Sequence, residues 1–189
     1  MDLNLRPATR DDSPAIAELF QMAAGGVADY IWQSVAEPGE TLLQTGARRF
    51  AREGEDFSFE NCVMAESDGA VAGMMCSYRM DEVSEIDDDL DPILLPYCEL
   101  EFAPSLYVAG IACYPERRGE GIGSVLIDHA DEKAEAMGLE DLSLIAFEEN
   151  AGSVRLYERL GYRTRDRRAI VPHELIQYSG DALLMVRAL

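Results

Sequence analysis

The sequence predicts a mixed α/β (α+β) fold, and three observations carry that prediction. Apolar strand-like runs alternate with helix-type segments through the second half, a Ser-Asp-Gly turn divides two β-type runs in the middle, and two helix-type segments lie near the N-terminus. The chain has 189 residues, 48% of them hydrophobic, which is enough for one well-filled core. No Pro/Gly/Ser-rich linker divides it, so residues 1–189 read as a single domain.

Taken in order, residues 3–6 read as a first strand. "TRDDSPAIAELF" follows, with Ser13 placed to cap a helix that has Pro14 at its first position. "ETLLQTGARRFAREG" predicts a second helix, with Leu42, Leu43, Ala47 and Phe50 on one side and Gly54 near its end. "NCVMAESDGAVAGMMCSYRM" is a hairpin turning at Ser67, Asp68 and Gly69. Residues 82–104, "EVSEIDDDLDPILLPYCELEFAP", break the pattern with acidic residues and three prolines, and are expected to be an insertion or mobile loop bordering a site or solvent. Clean alternation then resumes: "SLYVAGIACYP" as a strand, "GIGSVLIDHADEKAEAMG" as a helix ending at Gly138, and "LSLIAF" as a strand. "NAGSVRLYERLG" is a helix closed by Gly161, and "ALLMVRAL" a last strand.

Composition narrows the function classes. The formal net charge is −20, which repels phosphate backbones and argues against nucleic-acid binding. It would attract a cationic substrate, although acidic surfaces also serve solubility alone. No run of about 18 apolar residues is present, and residues 1–10 lack the basic-then-apolar order of a signal peptide. The expectation is a cytoplasmic protein without a membrane partner, its four cysteines (Cys62, Cys76, Cys98, Cys113) remaining thiols in or beside apolar runs. The acidic run at 87–91 lacks the glycine and the final glutamate of a calcium loop, and His129 and His173 belong to no metal-type cluster. No G-x-S-x-G nucleophile turn occurs either.

The chemistry concentrates in "CYPERRGEGIGSVL", residues 113–126, which joins a buried strand to a helix. Free amides and the positive end of the helix dipole make such a junction an anion site. Gly119, Gly121 and Gly123 remove side chains from every second position so that consecutive amides can wrap a diphosphate, with Arg117 or Arg118 adding charge. A triphosphate loop would need Gly-Lys-Ser/Thr, and a dinucleotide fingerprint would need G-x-G-x-x-G near the first strand. Neither fits. R-x-x-G-x-G does, as Arg118, Gly121 and Gly123.

In this pattern the chain resembles the GNAT superfamily of acyl-CoA-dependent N-acetyltransferases, whose signature is Q/R-x-x-G-x-G/A at the start of a central helix. "NAGSVRLYERLGY" resembles the family's downstream Asn…Tyr-Glu-x-x-Gly-Phe/Tyr segment, and "LNLRPATRDDSPAIAELF" a typical first strand and helix. The resemblance implies a central mixed, mostly antiparallel sheet flanked by helices. It implies that the amides of Gly119, Glu120, Gly121, Ile122, Gly123 and Ser124 hold the pyrophosphate of acetyl-CoA beside Arg118. Backbone groups of Ile111 and Cys113 would pair with the pantetheine arm, the Ile111 N–H polarising the acetyl carbonyl. Asn150 would contact the arm and Tyr157 would act as general acid. Asn150 serves equally as a helix N-cap, and seven-residue spacing puts it on one face with Tyr157, about 10 Å away.

Two departures stand out. Glu120 brings a carboxylate into the loop, so its side chain must point outwards while its amide points in. Tyr107 stands where some members carry a base on the central strand, which leaves Glu99, Glu101 or a water relay for that role. The implied reaction moves an acetyl group from acetyl-CoA to a primary amine of a small molecule or peptide by direct attack in a ternary complex, with no metal. A noncatalytic acyl-CoA-binding sensor or regulatory module is the alternative. Acceptor choice is expected to lie in residues 24–39 and 82–104; sheet-edge or helix-face homodimers are common for the family, though no residue here specifies one.

Overall fold

The structure, a computed structural model, describes residues 3–87 and 89–189; Met1 and Asp2, in the stretch considered above as a leader, and Asp88, in the 87–91 acidic run, lie outside it. Seven strands among the described residues, numbered along the chain, are hydrogen-bonded in the order β1 (Leu3–Pro7), β2 (Cys62–Ser67), β3 (Ala70–Met80), β4 (Ser105–Cys113), β5 (Asp141–Phe147), β7 (Asp181–Ala188), β6 (Arg163–Ala169). The β4–β5 pair is parallel, whereas β1–β2, β2–β3, β5–β7 and β6–β7 are antiparallel. Two compact units contain these elements, one formed by Met1–Tyr78 and Ala109–Asp128, the other by Arg79–Val108 and His129–Leu189.

The first unit opens with β1 (Leu3–Pro7), registered on β2 (Cys62–Ser67) from Leu3↔Ser67 to Pro7↔Val63. The hairpin to β3 (Ala70–Met80) turns where the sequence predicts: Ser67 pairs with Ala70, and the two residues between, Asp68 and Gly69, have φ of 54° and 79°. Positive φ at both positions is a type I′ turn, whose twist matches the flanking strands. Helix α1 (Ser13–Ala23) starts one residue earlier than predicted, with Asp12 at the N-cap position but no side-chain cap bond, while the Ser13 hydroxyl donates to the Arg10 carbonyl at 2.7 Å. Helix α3 (Leu42–Phe50) has a reciprocal cap, Gln44 N–H donating to Thr41 and Thr41 N–H to the Gln44 side chain.

A further helix, α2 (Val27–Val35), falls in the 24–39 stretch where no element is predicted. It enters from Gly25 and Gly26, both at positive φ, without a side-chain cap. Its Trp32 ring lies on Gly46 of α3, where a Cβ would come within 2.6 Å of the indole. Trp32 joins Ile16, Leu19, Phe20, Phe50, Met64 and Met74 in this unit's core, with Phe20 edge-on to Phe50 at 5.2 Å. Arg6 ties the rim together: its guanidinium donates to both oxygens of Asp12 at 2.8 Å and to Glu66 at 2.6 Å, joining β1, the cap of α1 and β2. That hydrogen bonding, with further donation from Thr9, holds the Asp12 carboxyl well below the usual carboxylate range.

The first unit also contains the later part of β4 (Ser105–Cys113) and the start of α5 (Ile122–Ala136). Both come unusually close to β3 at Gly73, where a Cβ would lie 2.7 Å from the Ala112 carbonyl oxygen and 3.0 Å from Ile122 Cγ2. At Gly110 a Cβ would stand 2.8 Å from the Phe20 ring, so α1 packs directly on the β4 backbone.

The second unit contains the parallel ladder Leu106–Val108 to Leu142–Leu144 between β4 and β5 (Asp141–Phe147). Next in the chain are α6 (Ala151–Arg159), β6 (Arg163–Ala169) and β7 (Asp181–Ala188). Leu100, Leu106, Leu142, Tyr162 and Met185 are fully buried, and the buried hydroxyls of Ser105 and Ser143 share a hydrogen bond of 2.7 Å. Strand β6 is not predicted, because "RTRDRRA" shows no apolar alternation; pairing with β7 decides its conformation, and six of its seven side chains are exposed. Residues 82–104 contain the short helix α4 (Leu95–Cys98) and are tied down at three points. Ser84 donates its N–H and hydroxyl to Glu101, Arg168 donates to Glu99 at 2.9 Å, and the Tyr97 ring meets Phe147 edge-on at 6.4 Å.

Two consequences for stability follow. Gly73→Ala forces a methyl against a backbone carbonyl, and the urea midpoint should fall by an amount corresponding to about 1–3 kcal/mol at an unchanged denaturant slope. Because the Asp12 pKa is depressed on folding, its contribution is present above about pH 4 and lost as pH falls below that. Asp12→Asn should therefore lower the melting temperature at neutral pH, with the difference from the unsubstituted chain closing in acid.

Candidate functional site

The junction between β4 and α5 is built from backbone geometry. The parallel ladder to β5 ends at Val108↔Leu144, and Ala109–Cys113 continue the strand into the first unit. Tyr114 N–H donates to the Ala72 carbonyl at 3.0 Å, and the Ala112 carbonyl also lies against β3. Strand alternation then directs the backbone groups of Ile111 and Cys113 to the opposite edge. A short 3-10 turn, Pro115–Arg117, follows, with Arg117 N–H donating to the Tyr114 carbonyl. The Tyr114 hydroxyl donates to Glu18 at 3.0 Å and so fastens the turn to α1.

Gly119 and Gly121 have φ of 84° and 82°, a region that L side chains enter only with strain, and nothing lies within 4 Å of where a Cβ would stand. From there α5 begins. Ser124 and Val125 donate their N–H groups to the Gly121 carbonyl, and no backbone carbonyl among the described residues accepts from the amides of residues 119–123. Five consecutive amides without a carbonyl acceptor therefore lie at the positive end of a 15-residue helix, beside the open space at Gly119 and Gly121. This arrangement can take an anion with several oxygens. Ile122, buried, anchors it from behind against Gly73.

The loop's charges are divided between two faces. Arg118 is exposed. Arg117 is half-buried between Asp68 at 3.6 Å and Glu120 at 3.8 Å. The Glu120 side chain lies against the protein beside Arg117: it is only 20% exposed, and Oε2 is buried without a hydrogen-bond partner. Beside them the Cys113 thiol is pushed up by burial, an effect that Arg118 opposes and Glu120 reinforces.

The remaining candidate residues belong to the second unit. Asn150 is the N-cap of α6, its Oδ1 accepting from Ser153 N–H at 3.3 Å. Tyr157 is 8% exposed, with its ring edge-on to Tyr162 at 5.8 Å, and burial pushes its pKa up to about 12. Glu99 and Glu101 are engaged by Arg168 and Ser84, so neither stands as an uncommitted base. The structure thus brings together Ile111, Cys113, Arg118 and residues 119–124 in one unit, and holds Asn150, Tyr157, Glu99 and Glu101 in the other. Gly73, Glu18 and Asp68, which support the loop, carry no local sequence signal, because each lies more than forty residues from what it supports. Among the described residues no group of three His, Cys, Asp or Glu side chains is placed to share a metal ion, and no helix is long and apolar enough to cross a membrane.

The pattern of the Acetyltransferase (GNAT) family matches residues 29–162. A protein named acetyltransferase from Yersinia pestis is 34% identical over 62 residues, a match that covers 33% of this chain and spans 43% of that relative's length. Among solved structures, an acetyltransferase superposes with a TM-score of 0.64 at 21% identity, covering 98% of both chains. The PaiA N-acetyltransferase of Thermoplasma acidophilum, solved in complex with coenzyme A, superposes with a TM-score of 0.60 at 12% identity over 100% of both.

Proposed function

The chain belongs to the Acetyltransferase (GNAT) family, and on that premise we propose that it transfers an acetyl group from acetyl-CoA to a primary amine of a small molecule or peptide, by direct attack in a ternary complex. The observation that carries the reading is the run of amides at residues 119–123 with no carbonyl acceptor, facing open space at Gly119 and Gly121. A diphosphate satisfies these donors in a way that a side chain of the protein does not, and Arg118 supplies charge from the exposed side.

The remaining roles follow the family likeness residue by residue. Acetyl-CoA supplies the activated thioester. Backbone groups of Ile111 and Cys113, directed to the edge of β4 away from β3, pair with its extended arm as a neighbouring strand would. The Ile111 N–H stabilises the developing oxyanion, a role worth about 3 kcal/mol where a single such donor has been removed. Asn150 caps α6 and contacts the arm. Tyr157 gives its proton to the departing thiolate. With Glu99 and Glu101 committed to Arg168 and Ser84, the amine's proton leaves through water. The acidic chain favours a cationic acceptor.

Acetyl-CoA at a hundredfold excess over its dissociation constant should stabilise the protein by about 2.7 kcal/mol. Gly121→Val, which occupies the open glycine surface and strains the backbone, should abolish that thermal shift relative to its own ligand-free baseline; a retained shift places the pyrophosphate elsewhere.

Tyr157→Phe should leave acetyl-CoA affinity intact while kcat falls about a hundredfold, the lower end of general-acid contributions, because a thiol with a pKa near 8.5 leaves partly unaided. The alkaline limb of kcat should lie near pH 12 rather than at the ordinary tyrosine value, since burial favours the neutral phenol. Rates measured between pH 9 and pH 12 with saturating acetyl-CoA test this, and an unchanged kcat in the variant returns Tyr157 to a packing role.

A further inference from the structure

The glycine loop contains an acid where its task favours neutrality or positive charge, and the geometry shows how that charge is handled. Glu120 lies between Gly119 and Gly121, both at positive φ; its N–H belongs to the run of amides without a carbonyl acceptor, and its side chain turns to Arg117. There Oε2 is buried without a hydrogen-bond partner, and Oε1 lies 3.8 Å from the Arg117 guanidinium. The same guanidinium nitrogen is 3.6 Å from Asp68, at the tip of the β2–β3 turn. Asp68 has a φ of 54° in that tight turn, and Gly73, on the strand leaving it, seats Ile122 beneath the loop. Arg117 therefore bridges the hairpin that supports the loop and the one carboxylate inside it.

We propose that Arg117 is a positioning residue for the pyrophosphate site, holding Glu120's carboxylate on the underside of the loop so that Glu120 presents its amide, and not its charge, to the anion. The inference rests on the acetyl-CoA reading above. A partly buried carboxylate with one poorly hydrated oxygen needs a countercharge, and Arg117 is placed to provide it. Without it the carboxylate swings towards water, which lies on the side where the phosphates bind. In this arrangement Arg118 meets the ligand and Arg117 meets the protein, so the adjacent arginines have opposite duties. Glu116, next to Arg117 and exposed, has no such contact among the described residues and serves as an internal control.

The test is a set of CoA dissociation constants measured by calorimetry on the full chain, with melting temperatures confirming that each variant is folded. Arg117→Met should weaken CoA binding about threefold to fivefold, the range of a partly exposed ion pair. Adding Glu120→Gln to Arg117→Met should restore the unsubstituted affinity, because the liberated charge is gone; adding Glu116→Gln, which restores the same net charge, should not. The KM for acetyl-pantetheine, which has no pyrophosphate, should be the same in all variants. Equal recovery from Glu116→Gln would reduce the effect to net charge and overturn the proposal. A double variant as weak as Arg117→Met would make Arg117 a direct ligand and overturn it too. If the unsubstituted chain fails to bind CoA, the acetyl-CoA reading falls and this inference with it; intact binding without selective recovery removes the inference alone.

Discussion

The glycine loop stands where it does because β3 has no side chain at Gly73. Two separate elements converge on that position, the backbone carbonyl of Ala112 from β4 and the side chain of Ile122 from the first turn of α5, at distances that a methyl group would not permit. The strand that would lie along an extended ligand and the helix that would receive its phosphates are thereby fixed to one surface. Neighbouring contacts reinforce this seating: the Phe20 ring packs against Gly110, and Tyr114 is fastened to Glu18. The donors at residues 119–123 are thus preorganised by packing behind them. Preorganisation matters for an anion site, since the cost of aligning several amides is met during folding rather than at binding.

Charge is organised by the same support. An overall net charge of −20 sets a background unfavourable to a phosphorylated ligand, and the loop answers it locally. Arg118 faces out, Arg117 faces in, and the dipole of α5 adds its positive end. Across the second unit, carboxylates are largely engaged in fastening segments: Glu99 and Glu101 hold residues 82–104, and Glu149 accepts from the N–H and hydroxyl of Ser179. Tyr157 differs from these groups in having no ionic partner acting on it; its elevated pKa comes from burial alone, which keeps the phenol protonated across the physiological range.

What could be read from the sequence follows from how local each signal is. The hairpin at Asp68 and Gly69, the α5 start at the glycine loop and the cap at Asn150 are each decided within a few residues, and each appears as predicted. Helix α2 escapes notice because its start is a Gly-Gly pair without a capping side chain, and its apolar residues have a purpose only once Trp32 meets Gly46. Strand β6 escapes because its conformation is dictated by β7 rather than by its own side chains. At the loop, the motif exposes the glycines and the arginines, yet Asp68, which shares Arg117 with Glu120, lies about fifty residues upstream and gives no local signal. Glu99 is engaged from Arg168, 69 residues away, and Glu101 from Ser84, so two acids that look available in the sequence are both committed.

The edge strand β6 carries Arg163, Arg165, Arg167 and Arg168 within seven residues, and among the described residues no strand pairs with its outer edge. An open edge is a template for uncontrolled strand addition, and proteins commonly blunt such edges with charge. Here a second β6 approaching antiparallel about Asp166 would set Arg165 against Arg167 on both sides of the contact, opposing like charges at close range. Like charges thus oppose the pairing of this edge with a copy of itself, in a chain whose acidity already discourages aggregation.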